Sequence, residues 1–294
     1  MKNKLNKVVS GLLFTFMLAL VATVVMPTQT TNAATKTTHS IKCKYVLKPG
    51  QTVNVTTYYS SGYTWSSENP KIASVDQNGK VTAKKAGMVN IYLTSSSGYK
   101  STIALVGVKT KNYYPSYEKR YKVGKDIPAG EYVLFKDPKV TSEYCFWTIY
   151  PSNKTSATLL DIGETRYAST VKLTKGTYVE VMSGYLVPLK KVAKSKFSLK
   201  NINKDMKKAT SKVDNRIDAK VGYGLPAGTY KITLSGKANS GYVFVSSQPR
   251  GIKYNPKKTV ESKSLSKSYG KTDVITLKKG QYVTIQNTTL TKIK

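Results

Sequence analysis

The sequence predicts an all-β chain of three small sandwich- or barrel-like modules, with one short helix as the candidate exception. Three observations predict it. Short runs alternate apolar and polar residues, as in Thr52-Val53-Asn54-Val55 and Val89-Asn90-Ile91-Tyr92-Leu93, which is the period of a half-buried strand. Turn chemistry interrupts these runs at short intervals, and Asn78-Gly79 between two of them is a strong hairpin signal. The second half of the chain also repeats a pattern of turns and strands from its middle.

Residues 1–33 read as a secretory signal peptide. Lys2, Lys4 and Lys7 precede the apolar run Val8–Met26, Pro27 ends it, and Thr31-Asn32-Ala33 offers small residues to a signal peptidase. The mature chain is expected to begin near Ala34 and to keep no transmembrane segment; a retained anchor is the alternative reading of the run. No hydrophobic tail or wall-sorting motif is read in Leu290–Lys294. His39, just behind the cleavage point, is expected in a mobile tail.

The first module spans 40–109. Strand candidates Ile72-Ala73-Ser74-Val75 and Lys80-Val81-Thr82-Ala83 flank the turn Asp76–Gly79, and Ala86-Gly87-Met88 turns into the next strand. Leu47-Lys48-Pro49-Gly50-Gln51, Trp65-Ser66-Ser67-Glu68-Asn69-Pro70, Ile72–Asp76, Asn78–Ala83 and Ala86-Gly87 together resemble the bacterial immunoglobulin-like group 2 (Big2) domain. The resemblance implies an Ig-like β-sandwich serving as a spacer or adhesive module of a bacterial surface or secreted protein. It carries no catalytic residues, and it makes Trp65 a core residue rather than a ligand-stacking one.

After a linker at 110–120, modules 121–191 and 219–294 repeat. Val123-Gly124-Lys125-Asp126-Ile127-Pro128-Ala129-Gly130-Glu131-Tyr132 matches Val221-Gly222-Tyr223-Gly224-Leu225-Pro226-Ala227-Gly228-Thr229-Tyr230. Tyr144-Cys145-Phe146 matches Tyr242-Val243-Phe244 at the same offset, and Leu173-Thr174-Lys175-Gly176-Thr177-Tyr178 matches Leu277-Lys278-Lys279-Gly280-Gln281-Tyr282 further on. Pro-Ala-Gly presets a tight turn that feeds a strand. The pattern resembles a module of secreted proteins of Gram-positive bacteria and implies no activity. By this alignment Cys145 holds a small apolar core position filled by Val243. A buried thiol and a Cys43–Cys145 disulfide both stand.

Between the repeats, residues 192–218 form a basic linker. Leu199, Ile202, Met206, Ala209, Val213 and Ile217 recur at helical spacing. The segment reads as a solvated linker or a short helix packed on a neighbouring module, ahead of a basic helix lying on an anionic surface.

Charge narrows the function. The chain has 48 Lys and Arg against 15 Asp and Glu, a formal net charge of +33. Arg occurs only at 120, 166, 216 and 250. Lysine is a flexible point charge, whereas arginine supplies the planar fork of specific readout. Diffuse attraction to polyanions is therefore expected, and sequence-specific nucleic-acid recognition is not. Candidate polyanion-binding residues are the pairs Lys84-Lys85, Lys190-Lys191, Lys207-Lys208, Lys257-Lys258 and Lys278-Lys279. With one histidine, no Ser-His-Asp or Cys-His arrangement and no zinc site is read. No cofactor, metal or catalytic residue is expected. A glycan hydrolase working with carboxylates alone would have to draw on Asp126, Glu131, Glu143, Asp161 or Glu164.

The expected protein is a secreted, wall-associated binding or adhesive protein of a Gram-positive bacterium, held on anionic polymers such as teichoic acid, with a host or cell-surface ligand also open. A structural or carbohydrate-binding module using exposed tyrosines, of which the chain has 22 in all, is the alternative.

Overall fold

The computed structural model describes residues 38–294 except 59, 60 and 155. The first sandwich holds β1 (Tyr45–Leu47), β2 (Thr52–Asn54), β3 (Tyr63–Ser67), β4 (Ala73–Val75), β5 (Lys80–Ala83), β6 (Gly87–Ser95) and β7 (Lys100–Val108). Its sheets run β1-β7-β6-β3 and β2-β5-β4, with β1 parallel to β7. The hairpin β4–β5 forms because Asp76 accepts the N–H groups of Asn78 and Lys80, each at 2.9 Å, while Gly79 takes φ +77°. A Cβ on Gly79 would also lie 2.7 Å from the Val55 carbonyl and 3.0 Å from the Trp65 ring, so only glycine fits. Trp65 packs in the core with Val55, Val81, Ile91 and Val106, as its motif position implies.

The second sandwich holds β8 (Tyr114–Pro115), β9 (Tyr121–Lys122), β10 (Gly130–Lys136), β11 (Cys145–Tyr150), β12 (Asp161–Thr165), β13 (Ala168–Leu173), β14 (Tyr178–Met182) and β15 (Gly184–Pro188). Residues 110–120, expected as a linker, thus contribute β8, which pairs with β15. The third sandwich follows helix α1 (Leu199–Met206) and holds β16 (Arg216–Lys220), β17 (Gly228–Leu234), β18 (Ser240–Ser246), β19 (Thr259–Ser266), β20 (Thr272–Leu277), β21 (Tyr282–Gln286) and β22 (Thr288–Lys292).

These two sandwiches share one strand order. Sheets β13-β10-β15, which β8 extends by a fourth strand, and β12-β11-β14-β9 correspond to β20-β17-β22 and β19-β18-β21-β16. Tyr132 faces Val171 and Pro188; Tyr230 faces Ile275 and Lys292. In both, the tyrosine after Pro-Ala-Gly-x donates its hydroxyl to the proline carbonyl, Tyr132 to Pro128 at 2.8 Å and Tyr230 to Pro226 at 2.7 Å.

Register corrects the alignment in one place. Trp147 faces Val181, and Val243 faces Ile285, so Val243 answers Trp147 and Gly241 answers Cys145. The shift of two residues follows from the longer path from β10 to Cys145, residues 137–144, against 235–240 before the equivalent Gly241. Both cysteines are free and buried, and burial pushes both thiols well above the usual range.

The basic linker is not a solvated segment. Ser198 caps α1, and Ile202 and Met206 are fully buried in the third core. Asn203 exchanges two hydrogen bonds with Leu290, at 2.8 and 2.9 Å. With its apolar face already covered, α1 has none left to lay on an anionic surface. The helical spacing stops at Met206: Asn215 donates to the Asp205 carbonyl, and Ile217 lies in β16.

His39 is buried rather than in a mobile tail. Its Nδ1 lies 2.6 Å from Asp137 and its Nε2 2.8 Å from Glu68, which also pairs with Lys139. The Ile41 carbonyl accepts the Ser183 N–H at 2.7 Å. The segment ahead of β1 therefore bonds to the second sandwich, much as the Asn215 carbonyl accepts the Asn287 N–H in the third. Among the described residues no helix is long and apolar enough to cross a membrane. The signal-peptide expectation falls outside the described residues.

Candidate functional site

All ten lysines of the five candidate pairs are exposed. Lys84-Lys85 lies between β5 and β6, Lys207-Lys208 at the end of α1 and Lys278-Lys279 between β20 and β21. Lys190-Lys191 and Lys257-Lys258 end short 3-10 turns. Turns place lysines in solvent because their backbone leaves no room for an apolar face. The pairs occupy separate turns of the molecule. Lys208 is the member held by an acid, Asp205 at 3.4 Å. Lys190 borders a cavity of about 650 Å³ whose apolar wall includes Val192, Phe197, Leu199 and Pro226.

A second cavity, of about 440 Å³, lies where the third sandwich meets the second. Its floor is the outer face of β19-β18-β21-β16. Alternation turns Val243 and Val245 inward, both fully buried, and leaves Tyr242 and Phe244 on the outer face opposite Ser264 and Ser262. Tyr282 and Thr284 extend this floor on β21, and Arg216 and Asp218 on β16. The wall is the β18–β19 connection carrying Arg250, Ile252 and Tyr254, closed by Asp161 and Thr170 of the second sandwich.

The connection is fixed in place from across the junction. Arg250 forks onto Asp161 at 2.6 and 3.0 Å, the Gly251 N–H donates to the same carboxylate at 2.7 Å, and the Arg250 carbonyl accepts the Lys172 N–H at 2.8 Å. Gly251 is required there: its φ is +92°, and a Cβ would come within 2.3 Å of the Lys172 carbonyl.

Asp218 is 3 % exposed, and three kinds of group serve it. Thr284 donates at 2.6 Å, Ser169 at 2.9 Å, and the Arg216 and Arg250 guanidinium groups stand at 3.5 and 3.8 Å. Arg216 Nε is buried and has no partner in the protein. Burial lowers the Arg216 pKa, but Asp218, Tyr242, Asp161 and Glu164 together outweigh it and the net shift is upward. Burial also raises the Tyr242 hydroxyl, against the pull of Arg216.

Three of the remaining candidate carboxylates are engaged. Asp126 accepts the Lys122 N–H, Glu131 holds Lys220 and Tyr282, and Glu143 pairs with Arg166 at 2.6 Å. Glu164 is exposed on β12. Among the described residues no group of three or more His, Cys, Asp or Glu is placed to hold a metal ion.

Residues 25–106 match the bacterial Ig-like domain (group 2). Such Ig-like domains are typically extracellular or surface-associated and non-catalytic. A stretch of 70 residues is 41% identical to a Bacillus subtilis (strain 168) protein described as "Uncharacterized protein YjdB", covering 23% of this chain and 59% of that protein. The Ig-like match ends at residue 106 and so excludes the cavity, which lies beyond the Ig-like domain.

The lysine pairs were legible as turn residues. The cavity was not, because Arg216, Asp218 and Arg250 come together only through the β16–β21 pairing and the docking of Gly251. No local sequence signal marks it, since Arg216 falls in the segment read as a linker, 192–218, and Arg250 in the repeat 219–294.

Proposed function

We propose that this is an extracellular binding protein, held by charge on anionic polymers of the cell wall such as teichoic acid, with the Ig-like domain as its spacer. The observation that carries this reading is the formal charge of +33, which falls by three to +30 once Lys2, Lys4 and Lys7 leave with residues 1–33, with exposed lysine pairs on the first and third sandwiches, on the turn after β15 and at the end of α1. Each exposed lysine contributes weakly, about 1 kcal/mol or less. Many such contacts along one polymer add up through effective concentration. The Debye length falls from about 10 Å at 0.1 M salt to about 3 Å at 1 M.

Purified protein should therefore bind wall preparations that retain teichoic acid, and release across that salt range. Preparations stripped of teichoic acid should bind less. Binding indifferent to both salt and teichoic acid would reject the charge reading.

A further inference from the structure

The cavity between the second and third sandwiches differs in kind from the lysine surface. Its lining charges are balanced, two aspartates against two arginines, so its own walls add no net charge to attract a bare anion. Its volume falls within the range of about 300–1,000 Å³ typical of small-molecule sites. Its floor sets the rings of Tyr242 and Phe244 beside the hydroxyls of Ser264 and Ser262.

The two serines present exposed hydroxyls with no side-chain hydrogen bond among the described residues, and the buried Arg216 Nε also lacks an acceptor there. A buried donor without a partner is costly, about 1–3 kcal/mol, so the cavity is short of one acceptor. The ligand that meets these terms is flat on one face, apolar there through C–H groups, and edged with hydroxyl or amide oxygens. That is the chemistry of a pyranose sugar.

The other copy of the fold supplies the control. By register, Tyr242, Phe244 and Ser246 answer Phe146, Thr148 and Tyr150, while Thr284 answers Glu180. On that face Arg120 lies over the Tyr150 ring at 3.4 Å and stands 3.8 Å from Glu180, which also holds Lys42. The same sheet face is sealed by ion pairs in one sandwich and open in the other. The side chains of the open face are therefore not dictated by the fold.

From this the geometry points to a saccharide-binding site: we infer that the cavity takes an uncharged sugar residue of a glycan chain, its C–H face on Tyr242 and Phe244 and its ring-edge oxygens on Arg216, Ser262 and Ser264. The site is independent of polymer retention by charge, and salt separates the two.

The test is titration calorimetry of the full chain, in 1 M NaCl, with soluble chito- and cello-oligosaccharides and with inorganic phosphate as the anion control. At least one oligosaccharide should bind, with an affinity that changes less than twofold between 0.1 and 1 M salt. Tyr242→Ala and Phe244→Ala should each weaken it at least tenfold. Ser264→Trp fills the cavity from an exposed position and should abolish binding while the melting temperature holds. Failure of every oligosaccharide to bind, binding of phosphate in their place, or unchanged affinity in Ser264→Trp would overturn the proposal. Loss of teichoic-acid binding in low salt would instead bear on the charge reading alone.

Discussion

Apart from β8, which only the second carries, the second and third sandwiches have the same strand order and pairing, yet they solve the same packing problems with different residues. Cys145 on β11 approaches Gly184 on β15, where a Cβ on the glycine would meet the cysteine Cβ at 3.3 Å. The third sandwich reverses the sizes: Gly241 stands on β18, and a Cβ there would meet Thr288 on β22 at 2.8 Å. Trp147 fills one core against Gly163, and Val243 takes its place against Lys263. What stays constant is the turn machinery, Pro-Ala-Gly-x-Tyr and the glycines at positive φ after β14's and β21's preceding strands, Gly176 and Gly280. Core volume can be redistributed between facing strands, whereas a backbone conformation open to glycine alone cannot be.

The largest expected asymmetry is at the core position just named. Trp147→Ala should cost about 3–5 kcal/mol, whereas Val243→Ala removes two methyl groups and should cost about 2 kcal/mol. Urea midpoints of the two variants check this; equal losses would mean that the two cores are packed alike.

The next contrast lies in what closes the sheet edge, His39 and Ile41 in one sandwich and Asn215 in the other. Burial lowers the His39 pKa, but its hydrogen bonds to Asp137 and Glu68 outweigh burial and raise it. For Glu68 and Asp137 burial acts upward, and hydrogen bonds from backbone N–H groups, Lys139 and His39 win downward. His39 therefore stabilises fully below its unfolded value of about 6.5, and that part is lost as pH rises through the raised folded value. The carboxylates stabilise above their unfolded values of about 4 and lose it as pH falls. His39→Ala should cost about 1–3 kcal/mol near pH 5.5 and less near pH 9, read as melting temperature against pH. A loss that does not vary with pH would show that His39 acts by packing alone.

Smaller and symmetric effects should follow at the shared turn. Tyr132→Phe and Tyr230→Phe each remove one hydrogen bond to a proline carbonyl and should cost about 1 kcal/mol. Pro128→Ala and Pro226→Ala should each cost about 0.5–1 kcal/mol through the unfolded chain. Denaturation curves in which one copy responds and the other does not would break the equivalence of the turns.

How much of this was legible in the sequence depended on range. Asn78-Gly79 and Pro-Ala-Gly are local signals, and local backbone geometry obeyed them. Trp65 was readable because its whole motif was present. Tyr144-Cys145-Phe146 matches Tyr242-Val243-Phe244 along the sequence because any aromatic-x-aromatic run alternates alike; the pairing is set instead by a connection two residues longer. His39 looked like a tail residue because its partners lie 29 and 98 positions away. The cavity required three elements and a neighbouring sandwich, which no window along the chain contains.

The backward course of residues 38–44 also has a mechanical consequence. Tension applied at Thr38 meets, in chain order, the Asn90 side-chain bond to the Thr38 carbonyl, the His39 hydrogen bonds to Asp137 and Glu68, the Ile41 carbonyl on Ser183 and the Cys43 backbone bonds to Ser116 and Glu118 before it reaches β1. Most of these fastenings belong to the second sandwich. A pull from that end would load both sandwiches together, through Asn90 and Glu68 on the Ig-like side and Asp137 on the other, and the strap would have to peel from the second sandwich before tension ran along β1.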